Sequence, residues 1–384
     1  MEDHRIHALT MPKWGLSMRE GQIAAWLVQE GAEVGPGVEV VDVETEKVTG
    51  GLEPMSAGIL RRRVAGLGEM IPVGGLIGII AGSSISDAEI DDFVAGFRSR
   101  SAAAGPAGEL SGPVPELLHL EGLTLRYLKR GDGGQPAVLL HGFGGDLNSW
   151  LFNHEALASG RAVYALDLPG HGGSSKLSGQ HDIPELAGAL AAFLDATGIG
   201  RTHLVGHSLG GAVALQFAAA HPERTASLVL VASAGLGEEI DGGYVEGFIS
   251  ASRRKEIQPL LDRLFTDPAL VSKRLVDDVL KYKRIDGVGA SLRLIADHFW
   301  PAGKQAQVLR GVLEQLPLPR LVIWGSEDRI IPAAHAQGLA AGVAAHILPG
   351  SGHMVHMEAA GEVNRLIENF WKAAGAATAS LSSS

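Results

Sequence analysis

The chain has 384 residues, no cysteine, 32 Lys and Arg residues, 43 Asp and Glu residues, and a formal net charge of −11 at pH 7. The absence of cysteine excludes disulfide scaffolds, thiolate metal sites and a cysteine nucleophile, and the negative charge argues against binding to nucleic acid or to an anionic membrane. The first residues lack the pattern of a signal peptide, and every apolar run is shorter than the ~18 residues of a membrane span. We therefore expect a cytoplasmic protein, and the length predicts two or three domains.

Residues 1–82 have the pattern of an all-β module. Short apolar runs alternate with frequent glycines, as in strands that are joined by tight turns. Ile23 and Ile59 begin two similar half-motifs about 35 residues apart, which predicts two quasi-symmetric sheets. The run Arg61-Arg62-Arg63 is expected to be a solvated strand face, with docking to an acidic partner as the alternative.

Residues 83–115 are rich in Ala, Gly, Ser and Pro and predict a flexible linker. Within it, Ser86 and Glu89 form the pattern of a helix capping box, and apolar residues follow at helical spacing up to Phe97. The pattern predicts a short helix over residues 86–97. This helix either packs on its own chain or docks a partner.

Residues 116–375 alternate short apolar runs with helical patterns, which predicts a mostly parallel α/β sheet. The alternation is interrupted over residues 238–316 by a polar helical stretch, which predicts a helical cap above the strand ends. Residues 376–384 are expected to be a frayed tail.

Lys47 lies in the run Glu44-Thr45-Glu46-Lys47-Val48, between two apolar β patterns. A lysine at such a place is ordinarily a solvated turn residue. However, the first zone resembles the lipoyl domain of 2-oxo acid dehydrogenase complexes, a flattened β-barrel or sandwich. That family has glycines sixteen residues before and eleven residues after the lysine, and Gly31 and Gly58 stand at these places. The flanking residues differ from the Met-Lys-Met of the related biotinyl domain. The resemblance implies lipoic acid covalently attached to Lys47, and we expect both glycines to adopt positive φ.

A Gly-x-Ser-x-Gly motif with Ser208 at its centre lies between a predicted strand and a predicted helix. Glycines there allow the sharp turn that lifts a serine above a sheet. Asp328 and His353 each follow a later predicted strand, so that the order is Ser, Asp, His. This zone resembles the α/β-hydrolase family, which implies a catalytic triad of Ser208, His353 and Asp328 and an oxyanion hole made by the backbone N–H groups of Phe143 and Leu209.

Neighbouring polar residues offer alternatives. Glu327 could replace Asp328 as the acid, although Asp328 occupies the family's position. His207 is expected to line the pocket. His356 lies near Glu358, but the pattern of a zinc motif is absent, so we expect a packing role and no metal.

The two-module chain resembles the dihydrolipoyllysine-residue acetyltransferase (E2) component of acetoin-cleaving (acetoin dehydrogenase) systems. The resemblance implies that an acetyl group moves from S-acetyl-dihydrolipoyl-lysine to coenzyme A in acetoin catabolism. It also implies a multienzyme complex with a thiamine diphosphate-dependent component and a dihydrolipoyl dehydrogenase. Two departures from ordinary E2 enzymes are the missing His-x-x-x-Asp-Gly motif and the missing two-helix subunit-binding domain. The alternatives are a plain hydrolase (an esterase, thioesterase or C–C bond hydrolase) with an accessory lipoyl domain, or a non-catalytic lipoyl carrier.

Overall fold

The computed structural model describes residues 6–12, 20–35, 38–44, 49–54, 57–103, 113–177 and 182–382, with only the backbone described at positions 49, 98–103, 274 and 376–382. The chain divides into two compact units, Met1–Gly112 and Pro113–Ser384. In the described residues, no helix is both long and apolar enough to cross a membrane.

The first unit consists of two antiparallel sheets of four strands each, with orders β1-β8-β6-β3 and β5-β4-β2-β7 in the described residues. Its strands are β1 (Ile6–Thr10), β2 (Glu20–Trp26), β3 (Glu33–Val34), β4 (Val41–Glu44), β5 (Thr49–Leu52), β6 (Gly58–Arg63), β7 (Met70–Pro72) and β8 (Leu76–Ala81). Alternate residues such as Ile23, Val41, Val43 and Leu60 are fully buried between the sheets. The predicted pair of sheets is thus present.

A helix, α1 (Asp87–Ala103), follows β8 and runs six residues beyond the predicted helix. Its apolar residues, among them Ile90 and Phe93, pack against Ile6 and Ile79 of the first unit. The apolar side of the helix therefore packs on its own unit, as in the first of the two predicted alternatives, and does not face a partner.

The arginines of β6 also contact α1. The expectation that Arg61-Arg62-Arg63 form a solvated strand face is therefore wrong. The Arg61 guanidinium lies 2.9 Å from the Asp87 carboxylate and donates to the backbone carbonyl of Ile85. The Arg62 guanidinium lies 2.6 Å from the Asp91 carboxylate. Both arginines therefore connect β6 to the start of α1.

The second unit is built on an eight-stranded sheet of order β16-β15-β14-β13-β11-β12-β10-β9. Strands β9 and β10 pair in antiparallel fashion at one edge, as do β10 and β12, and the other neighbours are parallel. The strands are β9 (Glu116–Leu120), β10 (Leu123–Arg130), β11 (Ala137–Leu140), β12 (Val163–Leu166), β13 (Thr202–His207), β14 (Thr225–Val231), β15 (Arg320–Gly325) and β16 (Val343–Leu348).

Helices cover both faces of this sheet, as buried parallel strands require. The described helices of the second unit are α2 (His154–Leu157), α3 (Ile183–Ala196), α4 (Leu209–Ala220), α5 (Gly242–Ser250), α6 (Arg254–Leu261), α7 (Lys273–Lys283), α8 (Val288–Phe299), α9 (Arg310–Gln315), α10 (Val355–Glu358) and α11 (Ala360–Ser382). Helices α3 and α4 contribute Phe193 and Phe217 to the core on one face, and α11 contributes Trp371 to the core on the other.

Helices α5 to α9 lie between β14 and β15 in the chain, which is where the sequence predicts a cap. Their buried side chains, such as Phe248, Ile257 and Ile295, join the same core as α3 and α4. The C-terminal helix α11 continues to Ser382 through most of the expected tail.

Candidate active site

Ser208 stands at the sharp turn between β13 and α4. Its backbone has φ 51° and ψ −118°, a conformation that an L-residue adopts only when its surroundings enforce it. A Cβ atom on Gly206 would lie 2.3 Å from the Gly210 carbonyl oxygen, and one on Gly210 would lie 2.4 Å from the Leu140 carbonyl oxygen. The two glycines of the motif are therefore required because the backbone packs too closely for any side chain. Ser208 itself is only 6% exposed.

His353 and Asp328 are in direct contact, although they are 25 residues apart in the chain. The Nδ1 atom of His353 lies 2.8 Å from Oδ2 of Asp328, and both side chains are almost fully buried. The other carboxylate oxygen, Oδ1, accepts hydrogen bonds from the backbone N–H groups of Ile330 and Ile331, at 2.8 and 3.0 Å. These bonds fix the carboxylate so that it holds the imidazole in one orientation. Glu327, the alternative acid, forms no such contact with His353 in the described structure, and its carboxylate accepts from Ser326.

The loop after β11 approaches Ser208 closely. A Cβ atom on Gly142 would lie 3.0 Å from Cβ of Ser208 and 2.8 Å from Nδ1 of His207. Phe143 follows Gly142, and Leu209 is the first residue of α4. In the described part of the chain, the N–H groups of Phe143 and Leu209 donate to no backbone carbonyl. Two such free N–H groups beside a serine can bind a developing oxyanion.

His207, next to Ser208, packs against two other histidine rings, whereas the sequence predicts that it lines the pocket. Its Nε2 atom lies 3.1 Å from the backbone carbonyl oxygen of His353. Its ring is in contact with those of His353 and His356, with ring centroids 4.8 and 4.4 Å apart, and the Trp150 ring lies 4.6 Å beyond His356. Burial lowers the pKa of His207 well below its usual value and that of His356 to about 3. Of the three adjacent imidazoles, only His353 has a carboxylate partner among the described residues.

Aromatic side chains of the cap enclose the Phe143 loop. The Phe143 ring is in edge-to-face contact with Trp300, at 5.0 Å between centroids, and with Phe248, at 6.0 Å. Trp300 also lines a cavity of about 170 Å³ that is bounded by Ala212 and Ala234, and the Ala234 N–H donates to the Ser208 carbonyl. The sequence predicts a cap but does not identify these residues, because a buried aromatic residue at helical spacing is typical of any core.

Lys47 lies outside the described residues, but the structure describes the two strands that flank it in the chain, β4 and β5. Strands β4 and β5 are antiparallel neighbours, with Glu44 paired with Thr49. The four residues 45–48, which include Lys47, therefore connect two paired strands in the chain.

The two glycines of the lipoyl pattern have different structural reasons. Gly31 has φ +91°, as expected. Gly58 does not have positive φ, so the expectation for this residue is wrong. Instead, a Cβ atom there would lie 2.8 Å from Cγ2 of Ile80, and glycine is required by the close approach of β8.

Two parts of the chain match known protein families. Residues 136–360 match the alpha/beta hydrolase fold family, and residues 7–80 match a biotin/lipoyl family described as "Biotin-requiring enzyme". The predicted fold, an all-β lipoyl domain followed by an α/β-hydrolase domain with a helical cap, is confirmed.

Two curated relatives align over nearly the whole chain, and both are named dihydrolipoyllysine-residue acetyltransferase component of acetoin cleaving system. The protein from Pseudomonas putida is 49% identical over 94% of this chain and 97% of its own length. The protein from Cupriavidus necator is 42% identical over 94% of this chain and 96% of its own length.

Among solved structures, a meta-cleavage product hydrolase from Pseudomonas fluorescens IP01 has a TM-score of 0.62 at 23% identity, covering 67% of this chain and 98% of its own. That likeness supports the fold. The similarity to the two curated relatives shows more than the fold, because it extends across both units of the chain. The chain belongs to the family of dihydrolipoyllysine-residue acetyltransferase components of acetoin cleaving systems.

Proposed function

We propose that Ser208, His353 and Asp328 transfer an acetyl group from a dihydrolipoyl thioester to the thiol of coenzyme A. The observation that carries this proposal is the buried contact of 2.8 Å between His353 Nδ1 and Asp328 Oδ2, beside a serine on a strained turn. That contact leaves Nε2 of His353 as the atom that exchanges protons with Ser208. The lipoyl group on Lys47 supplies the acetyl group as a thioester when it is attached.

In the first half-reaction, His353 takes the proton of the Ser208 hydroxyl while Oγ attacks the thioester carbonyl. The N–H groups of Phe143 and Leu209 stabilise the oxyanion, and one such donor is typically worth ~2.7–4 kcal/mol. The carbon–sulfur bond breaks, and His353 returns its proton to the departing thiolate. The product is an acetyl ester on Ser208.

In the second half-reaction, His353 takes the proton of the coenzyme A thiol, and the thiolate attacks the Ser208 ester. The carbon–oxygen bond breaks, the proton returns to Oγ, and acetyl-CoA leaves. Asp328 stabilises the imidazolium in both halves, since its carboxylate is held by two backbone N–H groups. Coenzyme A as the acceptor agrees with the expected cytoplasmic location.

The names of the relatives support a place in a multienzyme acetoin-cleaving system. We infer that a thiamine diphosphate-dependent component loads the lipoyl group and that a dihydrolipoyl dehydrogenase reoxidises it. The apolar side of α1 packs on its own unit, so this side of α1 is not available to dock the dehydrogenase.

One experiment tests the transfer. Full-length lipoylated protein is incubated with S-acetyl-dihydrolipoamide and coenzyme A, and acetyl-CoA and free acetate are measured separately. We expect acetyl-CoA as the main product and its loss in Ser208→Ala. Acetate without acetyl-CoA would support the hydrolase alternative instead, and undiminished acetyl-CoA in Ser208→Ala would exclude the serine mechanism.

A second experiment tests the carrier. Mass spectrometry of the protein from a host that attaches lipoate is expected to find the modification on Lys47. Lys47→Arg serves as the control because it keeps the charge but removes the acceptor amine. An unmodified wild-type lysine would disprove the assignment.

A further inference from the structure

The cap contains a basic segment in an otherwise acidic chain. Residues 253–284 hold nine Lys and Arg residues and five Asp and Glu residues, a formal charge of +4, whereas the whole chain has −11. A local excess of positive charge of this kind attracts an anionic ligand.

Several of these cations come together where α6 and α7 begin. The Arg254 guanidinium reaches across to α7, donating to the Lys273 carbonyl oxygen at 3.2 Å and pairing with the Asp277 carboxylate at 2.5 Å. This contact brings the exposed side chains of Lys255 and Lys273 to the same end of the helix pair.

Among the side chains that the structure describes, two of the cations at this end have no acidic partner. Arg253 pairs with Glu256, and Arg254 pairs with Asp277. Lys255 and Lys273, by contrast, have no carboxylate partner among the side chains that the structure describes. Two unpaired ammonium groups flanked by two guanidinium groups are well suited to bind phosphates.

The opposite end of α6 adjoins the proposed catalytic histidine. Leu264, three residues beyond α6, accepts a hydrogen bond from the Met354 N–H at 3.1 Å, and the Thr266 N–H donates to the Glu358 carboxylate at 2.6 Å. Met354 directly follows His353. The eight residues of α6 span about 12 Å, so the basic end lies about one short helix length from the loop of His353.

A basic cluster about one short helix from the loop of His353 suits one substrate of the proposed reaction. Coenzyme A carries its reactive thiol at one end of an extended pantetheine arm and its phosphates at the other. We propose that Lys255 and Lys273, with Arg253 and Arg254 beside them, bind the phosphates of coenzyme A while its thiol reaches Ser208. This inference rests on the proposed transfer to coenzyme A.

The test compares acceptor thiols that differ only in their phosphates. The full-length double variant Lys255→Ala/Lys273→Ala is assayed with S-acetyl-dihydrolipoamide as donor and with coenzyme A, dephospho-coenzyme A or pantetheine as acceptor. We expect KM for coenzyme A to rise roughly tenfold, as for the loss of two ion pairs at an exposed site. We expect a smaller rise for dephospho-coenzyme A, and no change in kcat/KM for pantetheine.

The matched control is Lys304→Ala/Lys372→Ala, which removes two lysines of 72% and 70% side-chain exposure outside the basic segment. We expect it to leave KM for coenzyme A unchanged. An equal loss of activity with coenzyme A and pantetheine in the Lys255/Lys273 variant would overturn the inference, because the lysines would then serve the donor or the fold. Unchanged kinetics with coenzyme A would also overturn it.

Failure of the proposed function gives a different result. In that case the wild-type protein forms no acetyl-CoA at all and releases acetate. If the wild-type protein forms acetyl-CoA and the double variant has the same KM for coenzyme A, only the phosphate site is wrong.

Discussion

The Nε2 atom of His207 lies 3.1 Å from the carbonyl oxygen of His353, so the residue before the nucleophile is bonded to the loop of the proposed base. Because burial lowers the pKa of His207 well below its usual value, this imidazole is neutral, and Nε2 must carry its proton to donate this bond. The turn that presents Ser208 and the loop that presents His353 are therefore fixed to each other by a neutral hydrogen bond.

Removing that bond is expected to reduce turnover more than binding. In His207→Phe, the ring remains but the donor is lost, and we expect kcat to fall roughly tenfold, about the cost of one hydrogen bond, with little change in KM. His207→Gln keeps an N–H donor and is expected to recover part of kcat. A fall in the melting temperature without a change in kcat would show that the bond serves stability alone.

Replacing Asp328 with Asn is expected to preserve the fold but disable the base. The amide oxygen can still accept from Ile330 and Ile331, but the amide NH₂ would then face Nδ1 of His353 and favour the wrong tautomer. We expect kcat for acetyl transfer to fall by about 10³–10⁴. The measurement is a steady-state assay together with a melting curve. Glu327→Gln is the matched control and is expected to retain activity, since Glu327 is not bonded to His353.

The sequence is sufficient to predict the fold of both units and the sharp strand–helix turn at Ser208, because tight backbone turns leave visible glycines. Gly206 and Gly210 flank Ser208 because the backbone packs too closely there for a side chain, as in any sharp strand–helix turn. The pairing of Arg61 and Arg62 with α1 was not predictable, since nothing in a run of arginines specifies which acidic residues of a later helix they meet. The hydrogen bond of His207 is not predictable from the sequence, because its partner is a backbone carbonyl and a backbone carbonyl has no sequence signature.

The aromatic residues of the cap are expected to decide whether thiol or water accepts the acetyl group. Trp300 and Phe248 pack on the Phe143 ring, and such enclosure protects an acyl ester from hydrolysis. In Trp300→Ala, we expect the ratio of acetate to acetyl-CoA to rise at least severalfold, measured by chromatography of both products. Leu270→Ala, at a half-exposed position of the cap, is the control. An unchanged product ratio in Trp300→Ala would show that the ring does not exclude water.

Packing of α1 is expected to stabilise the lipoyl-family unit. Ile90 is fully buried against Ile79 and its neighbours, and truncation of such a residue to Ala typically costs ~2–5 kcal/mol. In the full-length Ile90→Ala variant, we expect faster amide hydrogen exchange in β1 and β8, the strands that α1 covers. Leu67→Ala, at a residue that is 69% exposed, should leave exchange unchanged. Equal exchange rates in Ile90→Ala and wild type would mean that the helix adds no stability.

Buried histidines are expected to make the hydrolase-fold unit sensitive to acid. Burial lowers the pKa of His356 to about 3, compared with about 6.5 in an unfolded chain. Between these values the unfolded chain binds the proton and the folded chain does not, so stability is complete above about pH 6.5 and is lost as the pH falls. At pH 5 this single group lowers the free energy of unfolding by about 2 kcal/mol.

His356→Phe keeps an aromatic ring against Trp150 but cannot titrate. We therefore expect the variant to lose about 2 kcal/mol less free energy of unfolding than wild type between pH 7.5 and pH 5, as measured by urea denaturation. An equal loss in both proteins would show that His356 takes up no extra proton on unfolding.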